Sequence, residues 1–159
     1  MQEQINQCHG GKLRLRVCAL IVQEQKLLLL KHKGLGPLWH LWLPPGGGCE
    51  YGQSLTQNLQ RELLEETGLQ ISPGQLAYVH EHLVPPLHAV ELFYFAEITG
   101  GTLSIGADPE YPEDQQIITD LQWMNKQEIN ALDKQEKHAV LAQREQLEAI
   151  LGRQSFFKK

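Results

Sequence analysis

The sequence predicts an α+β fold, and three patterns carry that expectation. Short apolar runs bounded by glycine, proline and polar links recur through the first 124 residues, as buried strands do. Leu55, Leu59 and Leu63 recur every four residues and give one amphipathic helix among those strands. Helical patterning then closes the chain, with Val140, Leu147 and Leu151 on one face.

In chain order, residues 1–11 read as a loose lead-in ending at Gly10-Gly11. Residues 12–22 alternate Lys12, Arg14 and Arg16 with Leu13, Leu15 and Val17, then turn apolar through Ile21-Val22, which is a strand becoming buried. Gln23-Glu24-Gln25 links it to four leucines at 27–30, and the two strands form a hairpin. A loop rich in glycine, proline and tryptophan follows, and Pro44-Pro45-Gly46-Gly47-Gly48 stops any regular element. Ser54 opens the helix with Gln57 at capping-box spacing, and Gly68 ends it as a left-handed residue. Stretches 75–84 and 88–98 read as strands paired across Pro85-Pro86. Residues 99–115 form a loop, and 116–124 a last strand ending near Trp123. Two helices are expected at the end, near 126–132 and 135–151. Without repeats or linkers, residues 1–159 read as one domain.

The net charge of −5 argues against a nucleic-acid scaffold, which would carry a basic patch. It leaves room for a phosphorylated small molecule, because a bound divalent cation reverses the local sign. Cys8, Cys18 and Cys49 are few and widely spaced, so they read as reduced thiols and not as a disulfide framework. The polar N-terminus has no signal-peptide pattern, and the apolar run at 17–22 is too short to span a bilayer. A cytoplasmic protein without a membrane partner is expected, as a monomer or a homodimer.

The chemistry concentrates at 47–69. Glu62 and Glu66 are four residues apart, and Glu62 and Glu65 three, so the three carboxylates share one arc of helix surface. Like charges at those spacings weaken a helix by a few tenths of a kcal/mol per pair. A hard cation such as Mg²⁺, which takes oxygen ligands and bridges phosphates, offsets the repulsion. Arg61, one turn from Glu65, can orient it through a charge-assisted hydrogen bond. Taken alone, this run also suits a solvated acidic face. The glycine cluster upstream and the helix-ending glycine favour a site.

Residues Gly47, Arg61, Glu62, Leu63, Glu65, Glu66, Gly68 and Leu69 match, in order and spacing, the signature box of the Nudix hydrolases, which the chain therefore resembles. Trp42-Leu43-Pro44-Pro45-Gly46-Gly47 resembles the family's lead-in, and the strand order extends the likeness to most of the chain. The box departs from the family at its first glutamate, where this chain has Gln53. Gln53 brings no charge, which bears on the number of cations held, and Glu50 is a nearby substitute. The resemblance implies an α/β/α sandwich with a mixed curved sheet between helices. It implies hydrolysis of a diphosphate linkage in a nucleoside diphosphate derivative such as ADP-ribose, or in a nucleoside triphosphate. Mg²⁺, or Mn²⁺ in its place, would be held by Glu62, Glu65 and Glu66. Glu65 and Glu66 would act in catalysis with Arg61 holding a glutamate, and Gly46, Gly47, Gly48 and Trp42 would face the substrate. Pro85, sixteen residues past Leu69, resembles a marker of ADP-ribose pyrophosphatases.

Around that core, Asp108, Glu110, Glu113 and Asp114 offer a late-loop general base, of which Glu113 is favoured. Trp39 or Trp42 is a candidate stacking surface, whereas Phe93 and Phe95 alternate as core residues. His80 and His82 share a face at zinc-like spacing but lack an evident third ligand. Lys31, His32 and Lys33 read as a solvated strand end. Two rival functions remain open: a non-catalytic nucleotide sensor, and an isomerase of diphosphate esters, which would require Cys49 in the pocket.

Overall fold

A computed structural model describes residues 2–107 and 111–153. Two four-stranded sheets form its centre. The first runs β5 (Gly46–Gly48), β1 (Leu13–Leu20), β7 (Leu87–Gly101), β6 (Leu69–Val84). It is mixed: β1 pairs parallel with β7, and the other neighbours pair antiparallel. In the second, β3 (Lys26–Lys33) pairs antiparallel with β4 (His40–Leu43), with the short β2 (Val22–Gln23) and with β8 (Ile118–Met124).

Alternation along the strands builds a core on each side. Val17, Ala19, Ile21 and Leu28 point one way and pack against Leu59 and Leu63 of α2 (Leu55–Thr67). Cys18, Leu20, Leu27, Leu29 and Phe93 point the other way, toward α3 (Lys126–Ala131), α4 (Ala139–Ala142) and α5 (Arg144–Leu151). Sheets between two helical layers form the α/β/α arrangement. Leu59 and Leu63 are completely buried, which contributes about 1.5–3 kcal/mol each and seats α2 in one orientation.

Four expectations are corrected. The Pro44-Pro45-Gly46-Gly47-Gly48 run does not stop regular structure, because Gly46–Gly48 pairs antiparallel with β1 as strand β5. The lead-in expected at 1–11 is not loose over its described residues: α1 (Gln2–His9) lies within it, and Gly11 N–H donates to the Pro86 carbonyl at 2.9 Å, tying the segment to the β6–β7 turn. β6 and β7 extend beyond 75–84 and 88–98, because pairing continues from Leu83↔His88 to Leu69↔Gly101. The long helix at 135–151 is broken into a short 3₁₀ turn, α4 and α5. The break has a cause in β4. Lys137 bridges Trp42, and His138 N–H donates to the Trp42 carbonyl at 2.9 Å, which holds the backbone extended.

Candidate active site

Local sequence places the carboxylates with little freedom. The Ser54 hydroxyl accepts from Gln57 N–H at 3.1 Å, while the Gln57 side chain accepts from Ser54 N–H at 2.9 Å. At the other end Gly68 has φ +71°, a conformation that favours glycine. With both ends fixed and Leu59 and Leu63 turned to the core, Glu62, Glu65 and Glu66 turn toward the three-glycine strand β5 and line the same cavity.

The neighbours of β5 leave its first two residues no room for side chains. A Cβ on Gly47 would fall within the carboxyl group of Glu62, and one on Gly46 would meet the Val17 carbonyl oxygen. Gly46 also has φ +151° and donates its N–H to Glu66 Oε2 at 2.8 Å. Glu66 is buried, Glu62 nearly so, and Glu65 is half-buried.

Arg61 sits over this group, with Nη1 at 3.0 Å from Glu62 Oε1 and 3.1 Å from Glu65 Oε2. Nη2 lies 3.6 Å from Glu50 and donates to the Gly48 carbonyl at 3.3 Å. Desolvation works against the guanidinium's charge, but Glu62, Glu65 and Glu50 outweigh it and raise the pKa. Gln53 accepts from Arg61 Nε at 3.4 Å and donates to Glu50 Oε2 at 2.9 Å. It therefore links Arg61 to Glu50, at the position where the signature has an acid.

His32 corrects the solvated-strand-end reading. It is buried, lines the cavity and lies 3.7 Å from Glu66 Oε1. Burial, with a contribution from Arg16, lowers its pKa to about 3, so the ring is neutral at neutral pH and does not balance Glu66. Neither ring nitrogen has a hydrogen-bond partner among the described residues. Three clustered carboxylates, one of them buried beside an imidazole that does not neutralise it, suit a hard divalent cation that takes oxygen ligands. Glu62, Glu65 and Glu66 are the residues that would hold it.

The cavity they line measures about 680 Å³, within the range of small-molecule sites. Gly46, Gly47 and Gly48 line it, and so do Arg14, Arg16, His80, Glu91 and His138 of the neighbouring strands and the C-terminal segment. Other expected residues lie elsewhere. Trp42 is 5% exposed in the core, with Lys31 Nζ 5.7 Å from its ring centroid, and neither it nor Trp39 lines the cavity. Glu113 and Asp114 are exposed on a 3₁₀ turn and do not line it, although the neighbouring Tyr111 and Ile117 do. Asp108 and Glu110 lie outside the described residues. Cys49 packs against the α2 side of the core, where burial raises its thiol pKa, so it does not supply the pocket cysteine an isomerase needs.

Arg16, Glu91 and His138 escape the sequence reading. Glu91 lies within a strand, and only the pairing His80↔Glu91 and Arg16↔Glu91 brings the groups together. Strand alternation places Arg16 on a face but cannot name that face as a cavity floor.

The NUDIX domain model matches residues 12–145, and the chain belongs to that family. Its similarity to the Bacillus subtilis protein YjhB is 31% identity, over 60% of this chain and 48% of that one. To an ADP-ribose pyrophosphatase of Methanocaldococcus jannaschii it is 30% identical, over 61% of this chain and 58% of the relative. The chain thus spans about half the length of these two relatives. A solved NUDIX hydrolase from Nitrosomonas europaea superposes with a TM-score of 0.67 at 23% identity, covering 89% of each chain, which shows the shared fold. No helix among the described residues is long and apolar enough to cross a membrane.

Proposed function

We propose that the protein is a Mg²⁺-dependent pyrophosphohydrolase of a nucleotide-like diphosphate, either a nucleoside diphosphate derivative such as ADP-ribose or a nucleoside triphosphate. The observation that carries this reading is the convergence of Glu62, Glu65 and Glu66 on one cavity, with Glu66 buried against Gly46 N–H. A cation bound there neutralises phosphoryl charge and acidifies a water.

The chain's own residues supply the rest. Gly46, Gly47 and Gly48 present backbone to the substrate at the cavity wall. Arg61 holds Glu62 and Glu65 in fixed orientation through its two short contacts. Glu65, the most exposed of the three acids, takes the proton as water attacks phosphorus. Positioning and charge neutralisation supply most of the acceleration.

The test is a substrate panel with Mg²⁺, including ADP-ribose and ordinary and oxidised nucleoside triphosphates. Release of phosphate, pyrophosphate and nucleoside monophosphate is measured. Cleavage of at least one nucleotide, abolished by chelator, is expected. A chain that binds these nucleotides and cleaves none of them with Mg²⁺ or Mn²⁺ would be a sensor instead.

A further inference from the structure

Four residues form a row straight across the first sheet. Gly48 of β5 pairs with Arg16 of β1, Arg16 with Glu91 of β7, and Glu91 with His80 of β6. Paired residues share a face, so this row lies along the cavity floor. The next row is Arg14, Ala89 and His82. Gly48 and Ala89 are small, and the Arg14 guanidinium lies over Gly48, 3.2 Å from where a Cβ would stand.

His80, Glu91 and His138 offer ligand atoms all within 4.8 Å of one another, which invites a transition-metal reading. The hydrogen bonds argue against it. His138 Nδ1 accepts from Val140 N–H at 3.1 Å, so the proton of the neutral ring sits on Nε2. Nε2 then donates to Glu91 Oε2 at 2.7 Å. With one nitrogen accepting and the other protonated, His138 has no lone pair for a metal. Its role is to hold Glu91.

Glu91 in turn faces Arg16, with Oε1 3.5 Å from Nε. That separation is too long for a hydrogen bond, and the buried Arg16 Nε has no such partner among the described residues. Desolvation opposes the guanidinium's charge, but the carboxylates of Glu91, Glu66 and Glu62 overcome it, so Arg16 stays a cation near Glu91 and the acidic cluster. A planar, fully charged fork on a cavity floor matches phosphate oxygens.

We propose that Arg16 is the centre of a phosphate subsite on the cavity floor, which binds a substrate phosphate without the divalent cation and is oriented by Glu91 and His138. The assignment of that phosphate to a substrate rests on the hydrolase reading; the subsite itself does not.

The probe is inorganic pyrophosphate, titrated by calorimetry in excess chelator. Wild-type protein is expected to bind it, and Arg16→Gln to bind about tenfold or more weakly. Arg16→Lys should fall between them, because it keeps charge and loses the fork. Glu66→Gln, which removes a negative charge nearby, should bind as tightly as wild type or tighter. Should the Arg16 variants not fold, the wild-type Arg16 Nε–H resonance replaces them, and it should shift on saturation. No binding in chelator, unchanged binding by folded Arg16→Gln, or an unmoved Arg16 resonance overturns the subsite. Binding through Arg16 without cleavage of any nucleotide would overturn the hydrolase reading alone.

Discussion

Glu66 accepts a 2.8 Å hydrogen bond from the backbone N–H of Gly46, across 20 positions of sequence. That bond joins the acidic helix to the edge strand and fixes a buried carboxylate at the cavity. Glutamine at 66 can still accept from Gly46 N–H, so folding should be little affected, while the charge is lost. Glu66→Gln is expected to lower turnover at least about a hundredfold, comparable to losing a key charge stabiliser. Its melting temperature should stay within a few degrees of wild type, and steady-state rates with Mg²⁺ beside a thermal melt check both statements.

Neighbouring glycines should fail in different ways. At Gly47 the atoms nearest a new Cβ belong to the far end of the Glu62 side chain, which can swing aside. Gly47→Ala should therefore fold with near-normal stability and lose about tenfold or more in activity. At Gly46 the Cβ meets the Val17 carbonyl and the φ of +151° is strained for any side chain, so nothing nearby can yield. Gly46→Ala should lose about 2 kcal/mol or more of stability. Equal activity loss with equal destabilisation in both variants would contradict this difference.

Glu91 sets a pH window for stability. Burial would raise its pKa, but the hydrogen bond from His138 and the nearby Arg16 guanidinium lower it from 4.5 to about 2. The unfolded chain therefore binds the proton first as pH falls. This contribution is complete above about pH 4.5 and is lost between about 4.5 and 2, to a total of about 3 kcal/mol. Denaturant melts across that range should show a steeper pH slope for wild type than for Glu91→Gln. Parallel slopes would contradict the assignment.

The α2 cap offers a smaller test. Ser54→Ala removes the acceptor of Gln57 N–H and should cost about 1 kcal/mol in chemical denaturation. Because the acids sit two to three turns further along, kcat should barely change.

The helix of the site was readable because its signals are local: a cap at Ser54, leucines every four residues and a terminal glycine. The three acids followed from helical spacing. Lead-in residues 1–11 and the broken helix at 135–151 were not readable, since Gly11 is tied to Pro86 and His138 to the Trp42 carbonyl by contacts distant in sequence. Trp42 shows the same limit: an aromatic beside a glycine loop suits a pocket or a core, and packing decided for the core. His32 reversed in the other direction, from apparent strand end to buried cavity wall, because β3 is an interior strand there, paired at His32 with Leu41 of β4 and Ile118 of β8.

Divalent-cation binding tests the central claim most directly. Mn²⁺ titrated into the protein without nucleotide, and followed by electron paramagnetic resonance, should lose free-ion signal as it binds. Glu62→Gln and Glu66→Gln should each weaken that binding about tenfold or more, while Glu113→Gln should leave it unchanged. Equal Mn²⁺ affinity in wild type and in both α2 variants would contradict a cation held by these carboxylates.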